Sequence, residues 1–407
     1  MKRLWMKMGE NYLSKIEQGS LHVMYPDKRE AKYGDGGTPQ VSLKIHSADF
    51  FKRLALYGDI GFAESYMDGD FETSNLTELI KLALLNSHKL GVKSDDGSGV
   101  KLSNFFGISN RVKHLLRKNS KTRARKNIAQ HYDLSNEFFE LMLDETMMYS
   151  GAIFRHENED LHSAQRRKIE HLAHKLRIKE GAKVLEIGSG WGAMAIHLAK
   201  MGCDVTTVTL SKEQKALCHE RFRVADVEEQ IDILLKDYRD LEGSFDAIIS
   251  IEMFEAVGAE YFDVFFKKCE SLLKPSGVLA MQVITIPDQR YEAYAKSTDF
   301  IQKYIFPGGH LPSVSKVLEV TRQHTRLNLL HMEEFAEDYA KTLRLWDENF
   351  SAKLEKVKEL GFDEYFIRMW KMYLNYCEAA FLTRNIGLVQ MVFSRDQNIY
   401  LNRGLVA

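Results

Sequence analysis

Cysteine, proline and long apolar runs are scarce in this chain of 407 residues, which has 4 cysteines, 6 prolines and a net charge of −1. The cysteines form no C-x-x-C pair, so we expect reduced thiols rather than a disulfide framework, and no metal site. No apolar run is long enough to span a bilayer, and the amino terminus lacks the apolar core of a signal peptide. Balanced charge does not favour nucleic acid as a partner. These absences predict a cytoplasmic protein that is soluble or peripheral to a membrane.

The length is sufficient for two or three domains, each with its own core. We predict a small mixed α/β domain over residues 1–92, a linker with a basic amphipathic segment over 93–126, and a large α/β domain over 127–407. The first boundary rests on the polar stretch KSDDGSG, which has the glycine and serine content of a flexible linker.

The linker region has the most uneven charge in the chain, because no acidic residue lies between Asp96 and Asp133. The basic residues of this interval are Lys101, Arg111, Lys113, Arg117, Lys118, Lys121, Arg123, Arg125 and Lys126. Together with interleaved phenylalanine, valine and leucine, they are typical of an amphipathic segment that lies on anionic lipid. A solvated connector explains the same charges equally well, so both interpretations stay open.

The periodicity of apolar residues predicts the fold class. Strands are expected over 20–25 and 40–45, and helices over 48–66 and 76–85. From residue 176 strand-like and helix-like segments alternate, which predicts an α/β fold with a doubly wound, mostly parallel sheet. Its candidate strands are 183–187, 204–209, 231–235, 245–251 and 277–283, and segments 327–331 and 388–394 can complete the sheet. Stretches 287–317 and 335–382 predict a helical insertion.

The most informative motif is VLEIGSGWG, residues 184–192, a buried strand followed by a glycine turn and a helix. Gly188, Gly190 and Gly192 permit a tight turn and let the backbone approach a ligand. Gly188 and Gly190, together with Ala193, nearly fit the dinucleotide fingerprint G-x-G-x-x-G/A. Glu186, however, would repel a pyrophosphate and can pair with an ammonium. The pattern E-x-G-x-G therefore favours S-adenosylmethionine, with another nucleotide or a purely structural turn as the alternatives.

Two later segments supply further candidates for binding the cofactor. Asp237 and Tyr238 follow the third predicted strand, where the carboxylate can accept the adenine amino proton; a helix N-cap is the alternative role. TLSKEQ, residues 209–214, lacks the acid that usually binds the ribose hydroxyls. Thr209 and Gln214 are the candidates there, with Gln214 as a neutral substitute for the acid.

Longer motifs are more specific than these short ones. HYDLSNEFFELMLDETMMYSGAIF (131–154), IEMFEAVG (251–258) and KYIFPGGHLPS (303–313) occur in this order around VLEIGSGWG and TLSKEQ. Together they resemble the cyclopropane-fatty-acyl-phospholipid synthase family over residues 127–395, with weaker similarity over 1–88. The resemblance implies a class I methyltransferase domain over 127–407 with an acyl-binding insertion. It also implies an enzyme that uses S-adenosylmethionine to add a one-carbon unit across a double bond of a phospholipid acyl chain.

The resemblance further implies a base that removes a proton from the added methyl group. In the family this base is a bound bicarbonate, held by a Glu, a Tyr, a His and backbone near a Cys. The Glu and Tyr positions correspond to Glu255 and Tyr339. The Cys and His positions hold Gly151 and Gln282, which can donate N–H groups to an anion but cannot act as bases. We therefore expect a cyclopropane as the product, with a methyl- or methylene-branched chain as the alternative.

Other roles follow from the same resemblance. Tyr149 and Ser150 would contact the methionine part of the cofactor. By composition, and because they lie in or beside the family-like motifs, Tyr304, Phe306 and Trp346 are candidates to line the acyl site, where aromatic faces stabilise a carbocation, with core packing as the alternative role. The expected partners are unsaturated phospholipids, the anionic inner face of a membrane and a second copy of the chain as a homodimer. A non-catalytic lipid- or nucleotide-binding protein is the alternative from another functional class.

Overall fold

The computed structural model describes residues 2–90, 134–396 and 398. The predicted linker and its basic segment, 93–126, lie outside the described residues. Within the described ranges the chain divides into two compact units. Of the described residues, the first unit comprises 2–90, 289–307 and 343–386, and the second comprises 134–288, 308–342, 387–396 and 398.

The first unit contains a four-stranded sheet with the strand order β2-β1-β3-β4. Its strands are β1 (Ser20–Met24), β2 (Glu30–Gly34), β3 (Gln40–Ile45) and β4 (Phe71–Thr73). The alternating sequence of β3 buries Val41, Leu43 and Ile45 and exposes the residues between them. The two predicted strands are confirmed as β1 and β3, which pair in parallel. β2 and β4 were not predicted, because β2 buries no side chain fully and β4 has only 3 residues.

Helices surround this sheet and form the rest of the first unit. The helices of the amino-terminal part are Lys2–Leu13, Asp49–Met67, Leu76–Leu85 and Ser87–Leu90. The later helices, which include the predicted insertion, are Asp288–Tyr294, the π-helical turn Ile301–Ile305, Leu354–Glu359 and Glu364–Leu382. The helix Ala336–Ala352 has residues 336–342 in the second unit and 343–352 in the first. Buried Thr77 donates a hydrogen bond within this unit to Asn375 (2.8 Å) or Glu378 (2.6 Å). Much of the insertion thus packs with the amino-terminal helices, and the boundaries predicted at 92 and 126 stay a prediction.

The second unit contains a seven-stranded sheet with the order β10-β11-β9-β8-β5-β6-β7. Its strands are β5 (Lys183–Ile187), β6 (Asp204–Thr209), β7 (Ile231–Leu235), β8 (Phe245–Ile251), β9 (Leu273–Thr285), β10 (Leu327–Glu334) and β11 (Gly387–Arg395). β5 to β9 run parallel, whereas β11 pairs antiparallel with both β9 and β10. The predicted doubly wound, mostly parallel sheet is therefore confirmed.

Helices cover both faces of this sheet, as a doubly wound fold requires. On one face Leu161–Lys175, Ala193–Lys200 and Lys212–Val224 contribute to a core that includes Leu172, Leu198 and Phe222. On the other, Phe262–Leu272 and Val314–His324 contribute Phe265, Phe266 and Val317. A short helix, Asn136–Glu140, precedes this core in the chain. Within the described residues, no helix combines the length and hydrophobicity needed to cross a membrane.

Candidate active site

The predicted glycine turn follows β5 directly. Gly188, Gly190 and Gly192 have φ angles of 98°, 49° and 87°, a left-handed region that favours glycine. The turn is tied to β6 because the N–H groups of Gly188 and Ser189 donate to the carbonyl of Val208 at 3.1 and 2.9 Å. A Cβ placed on Gly190 would meet no atom within 4 Å, so space for a ligand is open beside the turn.

Glu186, within β5, is 3% exposed and accepts a 2.6 Å hydrogen bond from the hydroxyl of Thr207. Burial raises the pKa of Glu186 to about 8. The carboxyl group therefore holds a proton near neutral pH until a cation approaches it. The predicted pairing with a ligand ammonium would require that proton to leave.

The candidates at the ends of β6 and β7 form local contacts of their own. The hydroxyl of Thr209 donates to Oε1 of Gln214 at 2.7 Å. Asp237 accepts 2.8 and 2.7 Å bonds from the guanidinium of Arg239 and a 3.0 Å bond from its backbone N–H. Asp237 thus has the capping role named as the alternative, and an adenine contact stays a prediction. Tyr238 is buried, with the guanidinium of Arg239 5.7 Å from its ring centroid.

Tyr149 and Ser150 lie on the segment that leads into Gly151. The ring of Tyr149 packs 5.2 Å from that of Phe139. The hydroxyl of Ser150 is 2.6 Å from Nζ of Lys168, which donates to it. Lys168 is fully buried, and desolvation lowers the pKa of its ammonium to about 8. The sequence analysis did not single out this lysine, because a lysine on an amphipathic helix has no local mark of burial.

Three of the predicted catalytic positions meet on a residue that the sequence analysis missed, Glu252. Its Oε1 accepts hydrogen bonds from the backbone N–H of Gly151 (2.9 Å) and from Nε2 of Gln282 (2.7 Å). Its Oε2 accepts a 2.7 Å bond from the phenol of Tyr339. An acid directly after a predicted parallel strand, where ligands bind in such sheets, was the signal that could have identified it.

Glu252 has a strained backbone, and its buried carboxyl group has a positive charge and hydrogen-bond donors around it. Its φ of 48° lies in the left-handed region, which costs a non-glycine residue about 1–2 kcal/mol. Burial raises the pKa of Glu252, while the positive charge of Lys168 and the three hydrogen-bond donors act in the opposite direction. Both carboxylate oxygens accept from donors, an arrangement that suits the ionised form.

Glu255 lies one turn further along the chain in a different environment. Its Oε1 accepts a 2.5 Å bond from the N–H of Ile284, and its Oε2 is buried with no hydrogen-bond partner among the described residues. Burial, together with the negative charge of Glu252, raises the pKa of Glu255 to about 8. Gln282 and Tyr339 therefore bind Glu252 rather than Glu255, and a catalytic role for Glu255 stays a prediction.

Gly151 is required by close packing rather than by backbone conformation. A Cβ at this position would lie 2.6 Å from Cδ2 of Leu388 and 2.9 Å from Cγ of Tyr339. Such distances are far below van der Waals contact. The absence of a side chain therefore allows the ring of Tyr339 to approach the backbone that also binds Glu252.

The three predicted substrate residues belong to the first unit. The phenol of Tyr304 donates a 2.7 Å bond to Glu64, which also pairs with Lys303 at 2.6 Å. The ring of Phe306 lies 6.0 Å from that of Tyr373, and Trp346 is fully buried. These contacts agree with the core-packing alternative, and an acyl-binding role stays a prediction.

Two family profiles match the chain. Residues 119–391 match the family described as mycolic acid cyclopropane synthetase. Residues 8–94 match a domain of unknown function, DUF7884. The first match covers β5 to β10 and the start of β11, and it includes Glu252 and the glycine turn.

Individual relatives support the first match. The chain is 38% identical to the tuberculostearic acid methyltransferase UfaA1 of Mycobacterium tuberculosis, across 92% of this chain and 88% of that protein. It is 36% identical to the cyclopropane-fatty-acyl-phospholipid synthase of Escherichia coli K12, across 88% and 89%. Among solved structures, the mycolic acid cyclopropane synthase CmaA1 complexed with S-adenosylhomocysteine and CTAB superposes with a TM-score of 0.61 at 30% identity, covering 67% of this chain and 98% of that one.

Proposed function

Because this chain belongs to the mycolic acid cyclopropane synthetase family, we propose that it transfers a methyl group from S-adenosylmethionine to the double bond of an unsaturated phospholipid acyl chain. The observation that carries the proposal is the position of Glu252. β5 and β8 are neighbouring parallel strands, and the glycine turn follows one while Glu252 follows the other. A Cβ on Gly188 would lie 3.2 Å from Met253. Met253 directly follows Glu252 in the chain, so Glu252 is close to the turn.

The residues present fit this cofactor. Open space beside Gly190 gives a ligand access to the backbone, and the buried carboxyl of Glu186 can accept its ammonium group. When bound, the cofactor supplies an electrophilic methyl group on a sulfonium. An alkene is a weak nucleophile, so the chain must align it with that methyl group and exclude water. A group of the chain must then accept a proton, and Glu252 is our candidate for it.

We propose a cyclopropane as the product, formed when the proton leaves the added methyl group. A methyl- or methylene-branched acyl chain is the second candidate. Loss of a proton from a neighbouring chain carbon leaves a methyl branch beside a double bond, whereas a 1,2-hydride shift followed by loss of a proton from the added methyl group leaves a methylene branch. Two observations favour it: the name of the relative UfaA1 specifies a tuberculostearic acid methyltransferase, and Gly151 and Gln282 replace the family's Cys and His.

NMR of phospholipids tests both products. Cells expressing this chain and cells carrying an empty vector would be fed oleate, and their lipids compared. Upfield cyclopropane methylene protons would establish ring closure, whereas vinylidene or branched-methyl signals would establish the second candidate. If the lipids of the expressing cells are unchanged and the purified chain nevertheless binds S-adenosylmethionine, the chain is instead a non-catalytic binding protein.

We also propose peripheral binding to anionic membranes through the basic interval 101–126, and assembly as a homodimer. The support for membrane binding is the charge of that sequence. Sedimentation with vesicles at low salt tests it, since screening weakens such binding as salt rises. Equal binding to neutral and anionic vesicles would exclude the electrostatic contact. Analytical ultracentrifugation of the purified protein tests the dimer.

A further inference from the structure

We propose that the carboxylate of Glu252 is itself the base that accepts the proton after methyl transfer, so that this protein works without a bound bicarbonate. The inference rests on the proposed function, because it concerns the second step of that reaction. It differs from the expectation in the sequence analysis, where a bicarbonate was to be held by Glu255, Tyr339, Gln282 and the backbone at Gly151.

The expected bicarbonate site does not fit the structure, because its donors are already in use. The N–H of Gly151, the amide of Gln282 and the phenol of Tyr339 were expected to hold an anion. All three donate to Glu252, at 2.9, 2.7 and 2.7 Å. The side chain of Glu252 therefore places a covalently attached carboxylate where a free one was expected.

The hydrogen bonds leave Glu252 able to accept a proton. A carboxylate offers about four lone-pair positions, two on each oxygen. Oε1 uses both of its positions on Gly151 and Gln282, and Oε2 uses one on Tyr339. One position on Oε2 stays available.

The surrounding charges distinguish Glu252 from the neighbouring carboxyl. Burial raises the pKa of Glu252, and the positive charge of Lys168 opposes that rise and so favours the ionised form. Among the described residues Glu255 has no cationic partner, and the charge of Glu252 itself helps burial to raise the pKa of Glu255 to about 8. Two close carboxyl groups in environments this different are an arrangement in which one is a base and the other stays protonated.

The backbone supplies an independent argument. A glycine would adopt the φ of 48° at position 252 without strain, yet the position holds a glutamate. Strained residues of this kind persist where a side chain is needed in a fixed place. The strain here directs the carboxylate towards the three donors.

The step balances without any further reactant. The π pair of the alkene forms the new C–C bond, and the pair of the methyl–sulfur bond stays on sulfur. A carbon of the acyl chain is then electron-deficient. Oε2 of Glu252 takes a proton, and the C–H pair that it leaves closes the ring or forms a double bond. Glu252 returns its proton to solvent after the product leaves.

The decisive experiment is the bicarbonate dependence of the wild-type protein. Purified full-length chain would be assayed with dioleoyl phosphatidylglycerol vesicles and S-adenosylmethionine in buffer sparged free of carbon dioxide, and the gain of 14 mass units in the lipid followed. We expect the same rate with and without added sodium bicarbonate. A rate that collapses on sparging and returns with bicarbonate would overturn the proposal.

Substitutions give a second test that does not depend on removing carbon dioxide. Glu252→Gln removes the base and should slow turnover by ~100-fold or more, the usual contribution of a general base. Glu252→Gly removes both the side chain and the strain and frees the three donors, so added bicarbonate should raise its rate by ~10-fold or more. Glu260→Gln, an exposed position in the same segment, is the matched control and should keep the wild-type rate.

The outcomes separate this inference from the function on which it rests. If the wild-type protein leaves lipid mass unchanged with or without bicarbonate, the proposed function fails. If it modifies lipid but Glu252→Gln is equally fast, only the role of Glu252 fails. If bicarbonate raises the rate of Glu252→Gly and does not change the rate of the wild type, both the proposed function and the role of Glu252 as the base would be established.

Discussion

The side-chain amide of Gln390 donates a 2.8 Å hydrogen bond to Oε1 of Gln282, and this contact decides which end of Gln282 faces Glu252. With its oxygen occupied, Gln282 directs Nε2 at the carboxylate and at the carbonyl of Gly151, 3.0 Å away. Gln390 is oriented in turn because its Oε1 accepts from Lys175 at 2.8 Å. Lys175 also pairs with Glu333. Buried polar residues thus set the electrostatic environment of Glu252 from a distance.

Gln390→Glu should make Glu252 harder to deprotonate. The new carboxylate still accepts from Lys175 but cannot donate to Gln282, whose amide would then turn its oxygen towards Glu252. Loss of a hydrogen bond to a charged group raises the pKa of the acceptor, so the acid limb of the rate–pH profile should move up by about one pH unit.

The measurement is the methyl-transfer rate as a function of pH for both proteins. Gln230→Glu introduces the same charge at an exposed position and should leave the profile unchanged. An unshifted acid limb in Gln390→Glu would show that Gln390 has only a structural role.

Gly151→Ala should slow turnover without affecting cofactor binding. The added methyl group would displace Leu388 and the ring of Tyr339, and Tyr339 would lose its bond to Glu252. We expect a cost of about 1–3 kcal/mol, typical of overpacking, and a ~10-fold or greater loss of rate. Thermal unfolding separates the two effects: adding Leu388→Ala should recover stability but not activity. Full activity of the double variant would contradict a catalytic role for Tyr339.

Cofactor binding should release a proton from Glu186. The pKa of this buried carboxyl is raised to about 8, so it is mostly protonated at pH 7, and a ligand ammonium would lower that pKa. Calorimetric titration with S-adenosylhomocysteine in buffers of different ionisation enthalpy measures the proton count. The observed heat should depend on the buffer for the wild type and not for Glu186→Gln. Buffer-independent heat in the wild type would exclude the ammonium contact.

In the first unit, Glu378→Gln should stabilise the protein at alkaline pH. The folded-state pKa of Glu378 is raised to about 7, chiefly by burial, above its unfolded value. Stability is therefore lost as pH rises from about 4.5 to 7 and stays low above that, by about 3 kcal/mol in total. The amide removes this titration while it keeps the contact with Thr77. Unfolding midpoints compared at pH 5 and pH 8 test the prediction, and equal pH dependence in both proteins would contradict it.

The sequence was most informative where a physical constraint is local. Four strands of the large sheet, β5 to β8, begin and end at the predicted residues, because buried parallel strands are short apolar runs bounded by turns. β9 starts at Leu273, before the predicted residue 277, because its first residues include Pro275, Ser276 and Gly277, which are typical of a turn. The family resemblance and the class I methyltransferase fold that it implied are confirmed by the profile match and by the superposition on CmaA1.

The site was predictable only in part, because its members come from distant parts of the chain. Gly151, Gln282 and Tyr339 were identified as a group, and the structure brings them together. The carboxylate that they bind was assigned to a free anion, since Glu252 and Glu255 are indistinguishable as letters in IEMFEAVG. Lys168 and Gln390 had no local signal at all.

The sequence by itself determined the order of strands and helices in the large sheet, the glycine turn and the family, because each depends on residues close together in the chain. Only the tertiary structure decided which acid the three donors bind. Hydrogen bonding and burial depend on distances between β8, β9 and the helix that carries Tyr339, and they gave Glu252 three partners and left Oε2 of Glu255 with none among the described residues. That difference in solvation, rather than any difference in residue type, distinguishes the two carboxyl groups chemically.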